Sequence, residues 1–155
     1  MKYWLMKSEP GVYSIDDLGR DGKTRWTAIR NYQARNYMTE MKVGDLAFFY
    51  HSNADPTGIA GLMRVSAPAA PDETQFDKKD EHYEPRATRE APVWSCVEVA
   101  FLQKAPRFVE LSALRAEKAL AKMELFLKGS RLSITRVTAA EWRRIAKLAG
   151  LPEKG

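Results

Sequence analysis

The chain has 155 residues, the length of one domain, and its 45% hydrophobic and 10% aromatic residues suffice to build a packed core. One cysteine and two histidines provide neither an internal disulfide nor a zinc-binding spacing, and no apolar run approaches the roughly 18 residues of a membrane span, which leaves a soluble intracellular domain. The net charge of +5 is concentrated in residues 102–155, where twelve basic side chains outnumber five acidic ones; this favours an anionic partner such as nucleic acid as much as it favours solvated helix faces.

Strand and helix patterns alternate along the first forty residues. Residues 3–7 predict a strand that ends in a run of turn-forming residues. Ser14 predicts the N-cap of a short helix from Ile15 to Leu18. The apolar spacing between Ala28 and Met41 predicts a longer helix with one apolar stripe.

The middle of the chain contains the clearest strand signals. Residues 45–52 predict a central strand, because apolar side chains occupy both of its faces, and residues 59–65 predict its hairpin neighbour. Residues 66–92 hold four prolines and seven acidic residues against four basic ones, which predicts a long surface loop. Residues 93–104 then predict a further strand.

The last third predicts short helical pieces, a strand and a well-capped helix. The pieces fall within residues 108–128 and the strand within 131–137, while Thr138 and Glu141 form a capping-box pattern at the start of the helix. The whole pattern predicts one α+β domain over residues 1–155, built on a strongly curved sheet of five to six strands flanked by helices.

Three polar clusters contain side chains suited to nucleic acid. Residues 26–36 combine Trp26, which can stack on a base, with Arg, Asn and Gln side chains that pair with base edges. Residues 50–53 follow the central strand, and residues 131–136 follow a glycine-serine turn suited to phosphate. Structural roles stay open for each cluster: a core position for Trp26, a hydrogen-bonded His51 and solvated arginines.

Familiar catalytic motifs are absent from the sequence. The chain has no Walker loop, no Gly-x-Gly-x-x-Gly fingerprint, no Gly-x-Ser-x-Gly elbow and no His-Glu-x-x-His. The sequence therefore favours binding over catalysis.

Taken in order, these stretches resemble the EVE domain family. The matching motifs are long and run along nearly the whole chain: Tyr3–Pro10, Tyr13–Leu18, Trp26, Arg30–Asn36, Gly44–Asn53, Pro71–Asp72, Gln75–Asp77, Pro92–Trp94 and Arg131–Ile134. Ala28 departs from the family pattern, in which glycine is expected, and its methyl group is expected to narrow a pocket beside Trp26.

The resemblance implies a PUA-like fold and a reader of modified bases, such as methylated cytosine or adenine in DNA or RNA, that flips the base into an aromatic pocket. It implies Trp26 as one wall of that pocket and Trp94 as a second, with Asn31 and Ser52 bonded to the base edge. The implied base pocket comprises Lys7, Ser8, Trp26, Ile29, Asn31, Tyr50, Ser52 and Trp94. The implied contacts with the nucleic-acid backbone comprise Arg30, Arg35, Asn36, His51, Asn53, Arg131 and Ser133.

Two alternatives stay open beside the base reader. One is a small amidohydrolase-like enzyme acting on modified nucleosides, with candidate residues Lys7, Glu9, Tyr50 and His51. The other is an RNA-binding scaffold without base specificity. No cofactor, metal or membrane partner is expected. A monomer is expected, in the cytoplasm or, for a eukaryotic source, in the nucleus, because the sequence lacks a signal-peptide pattern.

Overall fold

The computed structural model describes residues 1–127 and 132–153. The strands are β1 (Tyr3–Ser8), β2 (Lys23–Arg25), β3 (Leu46–His51), β4 (Gly58–Pro71), β5 (Ser95–Glu110) and β6 (Ile134–Val137). The α-helices are α1 (Ile15–Asp21), α2 (Tyr32–Glu40), α3 (Leu111–Arg115) and α4 (Ala139–Ala149), and 3-10 turns span Glu73–Phe76, Lys118–Leu120 and Glu124–Phe126.

The six strands form one mixed sheet in the order β2-β5-β4-β3-β1-β6. The neighbouring strands β1 and β3 are parallel, whereas the other neighbouring pairs are antiparallel. The sheet does not close into a barrel, because β2 and β6 remain at its two edges. The α+β prediction, the central position of β3 and its antiparallel neighbour β4 are confirmed.

Each face of the sheet carries its own apolar core. Trp4, Met6 and Phe49 point to the face covered by α1 and α2. Leu5 and Phe48 alternate with them and pack under α4 on the other face. Strands apolar on both faces therefore lie in the middle of the sheet, with a helical layer on each side.

Capping interactions fix the start of two helices. Ser14 and Asp17 form a capping box at α1, and Thr138 and Glu141 form another at α4. Gly150 ends α4 in a left-handed conformation with φ of 73°. Both N-caps were predicted from sequence and are confirmed, although α1 extends three residues beyond Leu18 to Asp21.

The predicted helix from Ala28 to Met41 is wrong in its first turn. The helix α2 begins only at Tyr32, after Asn31, whose side chain accepts a hydrogen bond from the Ala34 amide. Ala28 has a φ of 68°, which a right-handed helix does not allow. The short strand β2 was not predicted, because its three residues carry no apolar alternation.

The loop predicted for residues 66–92 is shorter and more ordered than expected. The strand β4 continues to Pro71 and pairs with β5, which itself runs on to Glu110. The short helical pieces predicted around residues 111–114 and 119–127 follow it as α3 and two 3-10 turns. Inside the remaining loop, Asp72 and Gln75 are fully buried. The loop is therefore anchored by polar side chains that composition alone assigned to the surface. The turn predicted at Gly129 lies outside the described residues.

Candidate nucleic-acid interface

A polar recess of about 770 Å³ lies beyond the carboxyl ends of β1 and β3. Their parallel pairing brings Ser8 beside His51, and the Ser52 amide then donates to the Ser8 carbonyl at 3.0 Å. The residues that line the recess are Lys7, Ser8, Glu9, Val12, Ala28, Ser52, Asn53 and Ser133. Residues with hydroxyl, amide and ammonium groups thus line the recess at the end of β1, after the end of β3 and just before β6.

The turn formed by residues 9–13 shapes one rim of the recess. The amides of Val12 and Tyr13 both donate to the Glu9 carbonyl at 2.9 Å, and the Ser8 hydroxyl donates to the Tyr13 carbonyl at 2.6 Å. The Asn53 side-chain amide donates to a Glu9 carboxylate oxygen at 2.8 Å. Hydrogen bonds from Ser8, at the end of β1, and from Asn53, after the end of β3, therefore fix this rim in the absence of a ligand.

A second cavity of about 280 Å³ adjoins the recess and contains the predicted tryptophan wall. The two cavities share Lys7, Ser8, Val12 and Ala28, and the second adds Tyr13, Thr24, Arg25, Trp26, Thr27 and Ile29. Trp26 is 6% exposed and packs edge-on against Phe49 at 5.4 Å between ring centroids. It is therefore both a core residue and part of the cavity wall.

Lys7 lines both cavities. Its Nζ lies 5.9 Å from the centroid of the Tyr50 ring, a cation–π contact. Burial lowers the pKa of Lys7, because water solvates the ammonium group less well there. A negatively charged group of a ligand at this position would stabilise the ammonium group that burial leaves poorly solvated.

The arginine cluster of residues 30–35 lies elsewhere and is bonded internally. The Arg30 guanidinium donates to Asp72 at 3.1 Å, to the Thr74 hydroxyl at 2.9 Å and to the His82 carbonyl at 2.8 Å. Burial alone would raise the pKa of Asp72, but hydrogen bonds from Thr74, Ala28 and Arg30 outweigh it and hold the pKa below its ordinary value. Arg30 and Asp72 thus tie the loop to the start of α2.

Trp94 lies in this second network and lines neither of the two cavities. Its ring stacks on Tyr32 at 4.9 Å, and its Nε1 donates to Glu84 at 3.1 Å. The Gln75 side chain accepts from the amides of Val93 and Trp94 and donates to the Trp94 carbonyl. The structure therefore does not bring Trp94 together with Trp26.

Other predicted contacts also point away from the recess. Arg35 donates to the Val93 carbonyl at 3.0 Å and to Asn36 at 3.3 Å. His51 accepts the Ile15 amide through Nε2 at 3.1 Å, and burial lowers its pKa, so the ring acts as a neutral acceptor for α1. Asn31 caps α2, and Tyr50 packs on the opposite face of the sheet, where burial raises its pKa.

The structure gathers one part of the predicted site and disperses the rest. The predicted residues at the two cavities are Lys7, Ser8, Trp26, Ile29, Ser52, Asn53 and Ser133. The predicted residues that line neither cavity are Arg30, Asn31, Arg35, Asn36, Tyr50, His51 and Trp94. Arg131 lies outside the described residues. Sequence reasoning missed Val12, because a valine after a Pro-Gly turn carries no signal of its position in space.

The candidate residues of the hydrolase alternative do not converge. Lys7 and Glu9 line the recess and the Lys7 ammonium lies against the Tyr50 ring, but the Tyr50 ring packs on the other face of the sheet and His51 is bonded to α1. Within residues 1–127 and 132–153, no three His, Cys, Asp or Glu side chains form a group that could hold a metal ion. Over the same residues, no helix is long and apolar enough to cross a membrane.

Comparison with known proteins gives consistent matches over almost the full length. The EVE domain family matches residues 2–148. Thymocyte nuclear protein 1 from Homo sapiens is 44% identical over 165 residues, which covers 94% of this chain and 73% of that protein. The crystal structure of a protein from Pseudomonas putida is similar with a TM-score of 0.92 at 46% identity, covering 95% of this chain and 99% of that one. The crystal structure of human THYN1 protein in complex with DNA containing 5-methylcytosine gives a TM-score of 0.91 at 40% identity, covering 98% and 99%.

Proposed function

Because this chain belongs to the EVE domain family, we propose that it is a nucleic-acid-binding module that takes a modified base into the recess beside Trp26. One observation carries the proposal: a polar recess opens at the ends of β1 and β3, and the cavity that adjoins it has a tryptophan wall. A similar fold, that of human THYN1 protein, has been crystallised with DNA containing 5-methylcytosine. DNA with this base is therefore the first ligand to test.

The chemistry of the recess suits a base. Ser8, Ser52 and Asn53 supply donors and acceptors for the polar edge of the ring, while Trp26 and Ile29 supply apolar surface in the adjoining cavity. A base inside a duplex cannot reach such a recess, so the target nucleotide must leave the stack. Lys7 then lies where a phosphate or an exocyclic oxygen of the extruded nucleotide would meet a positive charge.

Selectivity for a methylated base depends on how tightly the apolar wall surrounds the methyl group. Full burial of one methyl group contributes about 0.8 kcal/mol, which is roughly a fourfold difference in affinity. A modest preference over the unmodified base is therefore expected, at every salt concentration.

The deciding experiment compares two tryptophan variants in titrations with matched oligonucleotides. The oligonucleotides carry cytosine, 5-methylcytosine, 5-hydroxymethylcytosine, adenine or N6-methyladenine at one position, in DNA and in RNA. Trp26→Leu should abolish the preference for a modified base. Trp94→Leu should keep it, because Trp94 is just as buried but lines neither cavity. Circular dichroism and thermal unfolding of both variants establish that each is folded at the titration temperature.

Three outcomes separate the possibilities. Loss of preference in Trp26→Leu alone supports the base-reading recess. Equal loss in both variants contradicts the assignment of the recess, and a wild-type protein that binds all oligonucleotides alike with a steep salt dependence contradicts base reading altogether.

A further inference from the structure

Val12 is an exposed apolar side chain at the mouth of the recess. It is 78% exposed, more than any other large hydrophobic side chain of the described residues. It lines both the 770 Å³ recess and the adjoining 280 Å³ cavity. Single exposed apolar residues are common on proteins, but Val12 stands at the entrance of both cavities.

The turn that carries Val12 is held rigidly before binding. The Val12 amide donates to the Glu9 carbonyl, the Glu9 carboxylate accepts from Asn53, and Ser8 bonds the far side of the turn at the Tyr13 carbonyl. A projecting side chain on a turn with these bonds loses little conformational freedom on contact with a partner. Val12 is therefore presented as a fixed apolar tip.

We infer that Val12 is a wedge that enters the base stack of duplex DNA in place of the nucleotide that moves into the recess. The inference rests on the proposed function. It identifies duplex DNA as the ligand, because only a duplex has a base stack in which a side chain can replace the extruded base. Proteins that kink or open a duplex insert apolar side chains between base steps, and the inserted side chain offsets part of the lost stacking. Val12 is adjacent to the recess. In one docked position of the protein, the extruded base therefore lies in the recess while Val12 occupies the space that the base left in the stack.

The charges around the tip fit a nucleic-acid partner. Lys7 and Arg25 line the cavities that Val12 borders, and Arg25 is exposed. Glu9 is the acidic residue lining the recess, and its carboxylate accepts the hydrogen bond from Asn53. A phosphate backbone on either side of an opened step would therefore meet cationic side chains beside the apolar tip.

The test compares duplex and single-stranded DNA, because only the duplex has a stack to enter. The probe is a 5-methylcytosine oligonucleotide, titrated alone and annealed to its complement, with 2-aminopurine next to the modified base to report unstacking. Val12→Ala should weaken duplex binding about tenfold, since it removes two methyl groups from the inserted surface. It should leave single-stranded binding within about twofold. Val12→Thr should weaken duplex binding about fourfold, an intermediate loss, because it keeps one of the two methyl groups.

Val43→Ala is the matched control. Val43 is also an exposed valine, at 58%, but it precedes the start of β3, about 20 Å along the strand from the recess. Its substitution should change neither form of binding.

The outcomes test the wedge and the proposed function separately. Equal affinity of wild type and Val12→Ala for the duplex overturns the wedge, as does a wild-type protein that prefers the modified base only in single strands. A wild-type protein without any preference for the modified base in either form overturns the proposed function itself. Loss of duplex binding together with loss of 2-aminopurine fluorescence enhancement in Val12→Ala supports the wedge.

Discussion

Two groups of residues looked equally suited to nucleic acid in the sequence, and the structure separates them. The recess group comprises Lys7, Ser8, Ser52 and Asn53, which converge on open space at the ends of β1 and β3. The loop group comprises the predicted contacts Arg30, Arg35 and Trp94, which the segment after β4 holds by hydrogen bonds. Arg30 donates to Asp72, Arg35 donates to the Val93 carbonyl, and Gln75 bonds the backbone of Trp94. Both contain the side chains that nucleic-acid sites use.

What differs between the groups is where the hydrogen-bonding capacity goes. In the loop group, Arg30 donates to two side chains and two carbonyls, and Gln75 uses both ends of its amide on the backbone. In the recess, Ser8 and Asn53 also make internal hydrogen bonds, to the Tyr13 carbonyl and the Glu9 carboxylate, but they border a cavity large enough for a base. Residue type alone therefore does not mark a binding site, because buried polar groups must be bonded wherever they lie.

The largest effect is expected when the loop group loses its central carboxylate. Asp72 is fully buried and accepts hydrogen bonds from the Ala28 amide, from Arg30 and from the amide and hydroxyl of Thr74. Asp72→Asn should lower the free energy of unfolding by about 3 kcal/mol, because it leaves a largely buried guanidinium without its counter-charge. Urea unfolding followed by fluorescence measures the change.

The neighbouring exposed ion pair provides the control, and pH provides a second readout. Glu73→Gln breaks the exposed pair with Arg89 and should change the stability by less than about 0.5 kcal/mol. The pKa of Asp72 in the folded protein lies below its ordinary value of 3.8, so its contribution is present above about pH 4 and is lost as the pH falls through the folded pKa. Wild type should therefore lose its advantage over Asp72→Asn in acid; a constant difference down to pH 2 would contradict the ionised state of Asp72.

The next effect concerns binding, where two basic residues should behave differently. Lys7→Met keeps the volume of the side chain and removes its charge from the recess, so affinity for modified DNA should fall about tenfold and the salt slope should decrease by about one. Arg35→Met removes a charge of the loop group, where Arg35 donates to the Val93 carbonyl and lies 4.8 Å from the Tyr32 ring. It should lower stability slightly and leave the affinity within about twofold. Fluorescence anisotropy at several salt concentrations measures both; equal loss in the two variants would place the loop group at the interface.

The elements with strong local signals were predictable, and the site was predictable only in part. The alternating apolar pattern of β3 and the capping boxes of α1 and α4 are encoded within a few residues. The extensions of β4 and β5 are not, because their outer residues are held chiefly by pairing with each other. Likewise, nothing near Arg30 in the sequence indicates that its partner is Asp72, 42 residues later.

The smallest effect concerns Ala28, where the two groups meet. Its φ of 68° lies in the left-handed region, which costs a residue with a Cβ roughly 1–2 kcal/mol relative to the right-handed form. Glycine, the residue that the family resemblance predicts here, avoids this cost but loses more chain entropy on folding, about 0.5–1 kcal/mol. Ala28→Gly should therefore stabilise the protein by up to about 1 kcal/mol in urea unfolding.

Ala116→Gly is the corresponding control, because Ala116 is exposed with an ordinary φ of −74°. It should destabilise the protein by about 0.5 kcal/mol, the opposite sign. Ala28 also lines both cavities, while its amide donates to Asp72 at 2.8 Å. Glycine would keep that hydrogen bond and remove a methyl group from the recess, so any change in the preference among modified bases would come from the shape of the recess and not from the loop that supports it. Destabilisation by Ala28→Gly would instead mean that the Ala28 methyl group packs well enough to outweigh the strain of its backbone.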